Sequence, residues 1–214
     1  MVSRSVIFWE VDTQADFMLP GGKLYVPAAE KRIPNISRLT EAARKGLVLI
    51  LSDACVHTPD DPEFERFPPH CVRGTPGAKI IPEGLAERVC VIPSAVDAKL
   101  PEDLSAYQQV ILEKQTLDVF ENPHADMVLA RAAKFTNADA EIFVYGVVTE
   151  YCVRLAAKGL LKRGRRVALV TDAIETLDPQ GGRKTIEELT AHGARLVTTD
   201  EALAALGNSQ SHSA

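Results

Sequence analysis

The sequence predicts an α/β sandwich built on a mostly parallel sheet. Three observations carry this. Short apolar runs rich in Val, Ile and Leu recur along the chain, stretches with helical spacing separate most of them, and Gly or Pro punctuates the joins. Alternation of that kind marks parallel strands joined by crossover helices.

The first strand is Ser5–Val11, which ends at Asp12. Residues 13–27 read as a loop, with Pro20, Gly21 and Gly22 as punctuation. Residues 28–45 have helical spacing, with Ile36, Leu39 and Ala43 on one face and Gly46 as the stop; Pro34 moves the regular part to a start near Pro34 or Asn35. Leu47–Ser52 is a second apolar strand, ending at Asp53. A polar, proline-rich segment follows from Ala54 to about Pro82, and a loop of that length inside a compact domain is usually functional.

Val89–Ile92 is a candidate short strand, and Gln109–Leu112 is a stronger one ending just before Lys114. Residues 125–135 are helical by pattern. Ile142–Tyr145 is a buried strand closed by Gly146. From Thr149 the pattern turns helical, with Cys152, Leu155, Ala156, Gly159 and Leu160 on one apolar face. Thr149 is the natural N-cap, so Cys152 falls near the third helical position, among amides with no partner inside the helix. The positive end of the helix dipole favours a thiolate there. The same position is equally readable as a core cysteine on an apolar face. Arg166–Val170 is a strand ending at Thr171 and Asp172. Arg183–His192 is a helix stopped by Gly193, Arg195–Thr199 a last strand, and Glu201–Leu206 a short helix. One domain over residues 1–206 accounts for these elements, with 207–214 expected as a disordered tail.

Composition narrows the function. Of 214 residues, 46% are hydrophobic and 25% charged, and the net charge is −5. That balance offers no electrostatic case for nucleic acid or an anionic membrane. No apolar run is long enough to span a bilayer, and no signal-peptide core is visible at the start. Cys55, Cys71, Cys90 and Cys152 are scattered without a CxxC, which fits reduced thiols and a cytoplasmic location. The expected partner is a small molecule, with self-association left open.

In open parallel sheets the ligand site lies beyond the carboxyl ends of the strands. The residues at those ends are Asp12, Asp53, Lys114 and, just past its strand, Cys152. Each has a bland alternative as a turn former or solvated strand end, but together they form a chemical set. A lysine cation and a helix start lower a thiol pKa. A carboxylate can take the thiol proton and return it to a leaving amine, and free helix-start amides can hold an oxyanion. This is equipment for acyl transfer through a thioester. The long loop adds Asp53, His57 and His70, with Asp60, Asp61, Glu63 and Glu65 between them. Two imidazoles and a carboxylate suit Zn²⁺, Fe²⁺ or Mn²⁺, although loop histidines beside acidic residues are common without a metal.

Several segments together make the chain resemble the isochorismatase-like cysteine hydrolases, and the nicotinamidases among them. These are Asp12–Phe17 (DTQADF), Gly21–Leu24, Phe67–Val72 (FPPHCV) with Gly74–Gly77, Lys114 at a strand end, and Gly146–Val153 (GVVTEYCV). The resemblance implies a Rossmann-like three-layer α/β/α sandwich around a six-stranded parallel sheet, and a catalytic triad of Asp12, Lys114 and Cys152. It implies a cis Val147–Val148 peptide, with the amides of Val148 and Cys152 as the oxyanion hole. It also implies a divalent metal, zinc first with iron or manganese as alternatives, on Asp53, His57 and His70. Phe17 and Phe67 match positions whose rings flank a nicotinamide.

Two departures qualify this. The usual metal segment is Asp-x-His, whereas Asp53-Ala-Cys-Val-His57 is two residues longer, so that either the loop bulges or a ligand is replaced, with Cys55 as a conceivable substitute. The ring-flanking position often held by tryptophan is Phe67. The expected reaction is hydrolysis of nicotinamide to nicotinate and ammonia. The alternatives are a sibling amidase for N-carbamoyl, ureido or maleamate-type amides, with Arg66 or Arg73 as a carboxylate clamp, and a non-catalytic binding module that keeps the fold.

Overall fold

The computed structural model describes residues 4–134 and 136–208. Its strands are β1 (Arg4–Val11), β2 (Leu49–Cys55), β3 (Val89–Ile92), β4 (Gln109–Lys114), β5 (Thr136–Gly146), β6 (Arg166–Ile174) and β7 (Arg195–Val197). The helices are α1 (Ala15–Met18), α2 (Ile33–Arg44), α3 (Ala125–Ala132), α4 (Arg154–Lys162), α5 (Pro179–Ala191) and α6 (Thr199–Asn208). All strand pairs are parallel, in the order β3-β4-β2-β1-β5-β6-β7. The sheet therefore has seven strands where six were expected. The four-residue run Val89–Ile92 is the difference to which we point, since it pairs in full with β4 along one edge.

β1 lies at the centre because it can be buried on both faces: Ile7, Phe8, Trp9 and Val11 are all buried. Parallel strands covered on both sides need such unbroken apolar runs. α2 packs with α6 and α4 with α5, which gives the three-layer sandwich. β1 leads to β2 on one side, whereas β5 leads to β6 on the other. The connections diverge at the β1–β5 boundary, and their carboxyl ends frame a crevice there. The close approach of those two ends requires Gly146, where φ is +116° and an added Cβ would lie 2.0 Å from the Val11 carbonyl oxygen.

Several boundaries move for local reasons. β2 continues through Asp53 to Cys55, because Asp53, Ala54 and Cys55 keep pairing with Leu112, Glu113 and Lys114. α5 starts at Pro179, four residues before the expected start, because the Asp178 side chain accepts from the Gln180 and Gly181 amides and proline suits the first helical position. β7 stops at Val197 because Thr199 opens α6. Of the expected tail, Gly207 and Asn208 close α6, and 209–214 lie outside the described residues, as does Phe135 of the helix expected over 125–135. The long loop 56–82 has 3₁₀ turns at Pro62–Glu65, Pro76–Ala78 and Pro82–Gly84 and isolated bridges from His57 to Val72 and from Ile80 to Gln14.

A buried polar knot joins the central strands. The Glu10 carboxylate accepts from Thr13 Oγ1 (2.8 Å), Ser52 Oγ (2.9 Å) and Gln109 Nε2 (2.7 Å). Burial raises its pKa from 4.5 to about 7 against those hydrogen bonds. The folded value exceeds the unfolded one, so the native state holds this proton more tightly. Stability from this group is full below pH 4.5 and is lost as pH rises through about 7. A shift of that size corresponds to about 3 kcal/mol. Glu10→Gln, with its amide oxygen in the place of Oε2, keeps the contacts with Ser52 and Gln109 and can donate to Thr13 from its amide nitrogen. Urea unfolding at about pH 5 and about pH 7.5 should show a pH-dependent loss of stability in the wild type that is reduced in the variant.

Candidate active site

Asp12 leaves the end of β1 with φ +48°, and its amide donates to the Asp53 carbonyl at 3.2 Å. Aspartate tolerates this left-handed backbone better than most residues. Lys114, the last residue of β4, is almost wholly buried at 1% exposure. Its Nζ donates to Asp12 Oδ2 at 2.7 Å and to Cys55 Sγ at 3.0 Å, and it approaches Cys152 Sγ at 3.6 Å. Asp12, Lys114 and Cys152 are thus brought together from three elements.

Cys152 lies in a π turn, Thr149–Val153, one step before α4 begins. Single π turns of this kind are frequent at functional sites. Thr149 is not the cap that its sequence position suggests. Its hydroxyl donates to the Glu175 carbonyl at 2.7 Å, and its amide donates to the same oxygen at 2.8 Å. Glu150 completes this tie by accepting from Thr176 Oγ1 and the amides of Leu177 and Asp178. The Val147–Val148 peptide is cis.

One lysine serves several acidic groups. Burial works against its charge, but Asp12, Cys152, Cys55 and Asp53 hold the Lys114 pKa well above the ordinary range. Burial and the neighbouring Cys55 push the Asp12 carboxyl well up, against the pull of Lys114. The neighbouring Cys152 thiol holds Cys55 well below the usual thiol range, against burial and helped by Lys114 and the histidines. The same pairing, with burial, raises Cys152. The thiolate preference expected at Cys152 from its helix start is therefore outweighed by Cys55. Asp53 is pushed up to about 6 by burial, with Lys114 and Trp9 opposing.

The structure gathers His57 and His70 but not Asp53. Asp53 Oδ2 accepts from Trp9 Nε1 at 2.9 Å, and Oδ1 lies 3.6 Å from Lys114 Nζ. The group whose donor atoms lie within 4.8 Å of one another is Cys55, His57 and His70. Asp53 thus stands outside the group, with Cys55, the substitute the longer spacing had suggested, in its place, and the register supplies the reason. β2 shows no shift through Cys55, so no bulge carries Asp53 forward, and Cys55-Val56-His57 has the short spacing instead. Both imidazoles are held by one nitrogen. His57 Nδ1 faces Asp61 Oδ2 at 3.0 Å, and His70 Nδ1 faces the Pro68 carbonyl at 2.8 Å. His57 Nε2 is buried with no hydrogen-bond partner among the described residues, and His70 Nε2 lies 3.9 Å from Glu63 Oε1. A buried orphan nitrogen, oriented from behind by a carboxylate, is how metal-ligating histidines are arranged. The residues present fit a divalent ion.

The DTQADF segment holds this region in place. Gln14 Nε2 donates to the Cys55 carbonyl (2.6 Å) and the Ala78 carbonyl (2.7 Å), while Gln14 Oε1 accepts from the Cys55 amide (2.8 Å). Asp16 accepts from the Cys71 amide at 2.7 Å and the Lys23 amide at 3.0 Å. Gly77 packs so closely on that carboxylate that a Cβ would lie 2.2 Å from it. One cavity touches Asp12, Cys55, His70, Cys152 and Val148, with Phe17, Phe67, Tyr151, Leu24 and Leu177 as apolar walls and Glu63 at its side. Phe17 and Phe67 both meet the His70 ring edge-on, at 5.3 and 6.4 Å between centroids. Arg66 and Arg73 do not line this cavity. Arg73 is paired with Glu113 at 2.8 Å, and Arg66 lies over the Phe67 ring at 5.7 Å. Sequence reasoning gave Gln14, Tyr151 and Leu177 no role. Gln14 and Tyr151 had a signal, their places inside the DTQADF and GVVTEYCV matches.

The family described as Isochorismatase domain matches residues 7–201. The chain belongs to this family, and it is a hydrolase of the isochorismatase-like superfamily. Its relatives include a nicotinamidase of Saccharomyces cerevisiae, 26% identical over 87% of this chain and 96% of that protein. A nicotinamidase/pyrazinamidase of Mycobacterium tuberculosis is 27% identical over 87% of this chain and 95% of its own length. The solved pyrazinamidase of Pyrococcus horikoshii in complex with zinc superposes with a TM-score of 0.72 at 27% identity, covering 91% of this chain and 99% of that one. Among the described residues, no helix is long and apolar enough to cross a membrane.

Gln14→Ala removes three side-chain hydrogen bonds and strips the Cys55 carbonyl of a buried donor. A loss of about 2–3 kcal/mol in unfolding free energy is expected, readable by urea titration.

Proposed function

We propose that this protein is a cysteine amidase of the nicotinamidase type, converting nicotinamide and water to nicotinate and ammonia. The observation that carries the proposal is the Asp12–Lys114–Cys152 contact set at the wall of one aromatic-lined cavity, with Lys114 Nζ 2.7 Å from Asp12 and 3.6 Å from Cys152. The full-length relatives named nicotinamidase support it.

In this mechanism Asp12 takes the proton of the Cys152 thiol, and the sulfur attacks the carboxamide carbon. A carboxyl raised by burial is a better base near neutrality than an ordinary aspartate. The amides of Val148 and Cys152 receive the oxyanion. Asp12 returns its proton to the departing ammonia and then activates water against the thioester. Lys114 supplies the fixed positive charge that keeps the set poised. Phe17 and Phe67 flank the ring of the substrate, each such stacking contact being worth on the order of 1 kcal/mol beyond area burial. His57 and His70 would hold a divalent ion, zinc before iron or manganese, which when bound would supply a Lewis-acid anchor for a ring nitrogen. The product would feed NAD salvage, and a cytoplasmic site of action is in keeping with that role.

Ammonia release from a panel of amides tests the proposal. Nicotinamide and pyrazinamide should exceed benzamide clearly in kcat/KM, because benzamide stacks without offering a ring nitrogen. Maleamate and N-carbamoylsarcosine should be poor, since neither Arg66 nor Arg73 reaches the cavity wall. Faster turnover of either carboxylate-bearing amide would hand the assignment to the sibling amidases. Cys152→Ala should abolish turnover with the fold intact by circular dichroism, and residual activity near the wild-type level would remove Cys152 as nucleophile. His70→Ala should lose the ion, measured as metal per chain after reconstitution.

A further inference from the structure

We propose that Cys55 is a thiolate ligand of the divalent ion, completing with His57 and His70 a sulfur–nitrogen–nitrogen set where the family resemblance implies a carboxylate. The inference rests on the metal-binding part of the function proposed above, but not on the identity of the amide.

Four observations support it. First, β2 pairs without a shift through Cys55, which faces Lys114 across the ladder. Asp53 and Cys55 share a face of the strand, but they stand two residues apart, about 6–7 Å along it. Asp53 therefore stops one pleat short of the histidines, and its carboxylate is occupied by Trp9 and Lys114. Second, the donor atoms of Cys55, His57 and His70 lie within 4.8 Å of one another, all three residues being buried. Third, both imidazoles are already oriented from behind, by Asp61 and the Pro68 carbonyl, and His57 Nε2 has no hydrogen-bond partner among the described residues. Fourth, Gln14 grips the Cys55 backbone on both its amide and its carbonyl, so the sulfur is carried on a fixed stretch of strand.

The chemistry that follows differs from that of a carboxylate site. A thiolate is a soft donor and selects zinc or cobalt over manganese and magnesium, which prefer oxygen. Three protein donors would also leave room for a further ligand on a bound ion, and the cavity that Cys55 and His70 line is walled by Phe17 and Phe67 with Glu63 beside them. Lys114 Nζ, 3.0 Å from the Cys55 sulfur, would sit on one side of that sulfur and the ion on the other. The negative sulfur thus separates two cations, and removing it without replacement should cost metal binding.

The test loads metal-free protein with one equivalent of Co²⁺ and records its absorption. The wild type should show a near-ultraviolet thiolate-to-cobalt charge-transfer band. Cys152→Ser should keep the band, which assigns the sulfur. Cys55→Asp should still bind cobalt but lose the band, and its preference for zinc over manganese should fall roughly tenfold or more. As a check that needs no variant to fold, zinc-edge X-ray absorption of the wild type should show one sulfur neighbour near ~2.3 Å beside nitrogen near ~2.0 Å. A wild-type cobalt protein without the band, a band that survives in Cys55→Asp, or a zinc shell without sulfur would each overturn the assignment. The band reads ligation whether or not any amide is turned over. Its presence without ammonia release would leave Cys55 as ligand and remove only the amidase proposal.

Discussion

The buried ammonium of Lys114 is the constraint on which the site depends. A lysine with 1% exposure must find partners of opposite charge or lose its proton. It finds four acidic groups: Asp12 at 2.7 Å, Cys55 at 3.0 Å, and Cys152 and Asp53 both at 3.6 Å. One positive charge cannot support four negative ones in a dry pocket, so the four compete. The outcome is visible in their directions. Asp12 and Cys152 are pushed up, Cys55 is held down, and Asp53 rests at about 6. A proton moving between Asp12 and Cys152 therefore moves within a pool whose total charge Lys114 limits. Under the amidase function proposed above, Asp12 and Cys152 would exchange a proton with substrate twice in a cycle, which such a pool suits.

The segment after β1 connects this charge balance to the rest of the fold. Its residues divide the work by position. Asp12 meets Lys114, Gln14 ties down Cys55 and Ala78, Asp16 fixes Cys71 and Lys23, and Phe17 becomes a cavity wall. The long loop has no helix or named strand of its own in the interval from 56 to 82, only 3₁₀ turns and isolated bridges. It is positioned by those side chains together with the backbone bridges His57–Val72 and Gln14–Ile80. His70 stands next to Cys71, whose amide Asp16 holds at 2.7 Å, so the DTQADF segment also places a histidine that is far away in sequence. Polar side chains replacing a missing strand neighbour in this way satisfy buried backbone groups that would otherwise be costly.

The fold was legible because its signals are local. Apolar runs at β1, β2 and β5 admit no reading except buried strands, and the family match confirms the class. The strand-end rule brought Asp12, Lys114 and Cys152 to one edge before any distance was known. What stayed hidden depended on partners distant in sequence. Thr149 has the composition of a helix cap, yet the Glu175 carbonyl claims its hydroxyl and Cys152 falls in a π turn. Asp178 is an equally ordinary cap, in full view before Pro179, but the pattern over Arg183–His192 drew the helix start four residues too late. The effect of Cys55 on Cys152 was not readable at all, because a pairing between residues on β2 and after β5 leaves no trace in the spacing of either.

The metal region shows how strand register decides chemistry. From sequence, Asp53 is the natural third donor, since it is an oxygen ligand ending an apolar run and the resemblance implies aspartate. Two outcomes were available, a bulge that brings Asp53 to the histidines or a continuous strand that brings Cys55. A bulge would have appeared as a break in pairing with β4, and the pairing is unbroken from Ile50 to Cys55. Continuity then fixes the rest. Cys55 is set two residues before His57, and Asp53 is withdrawn towards the indole nitrogen of Trp9 at 2.9 Å. It is also left near Lys114, where it adds a further carboxylate to the charge balance around that ammonium. The same unbroken ladder that places a sulfur beside two histidines thus also places a carboxylate beside Lys114.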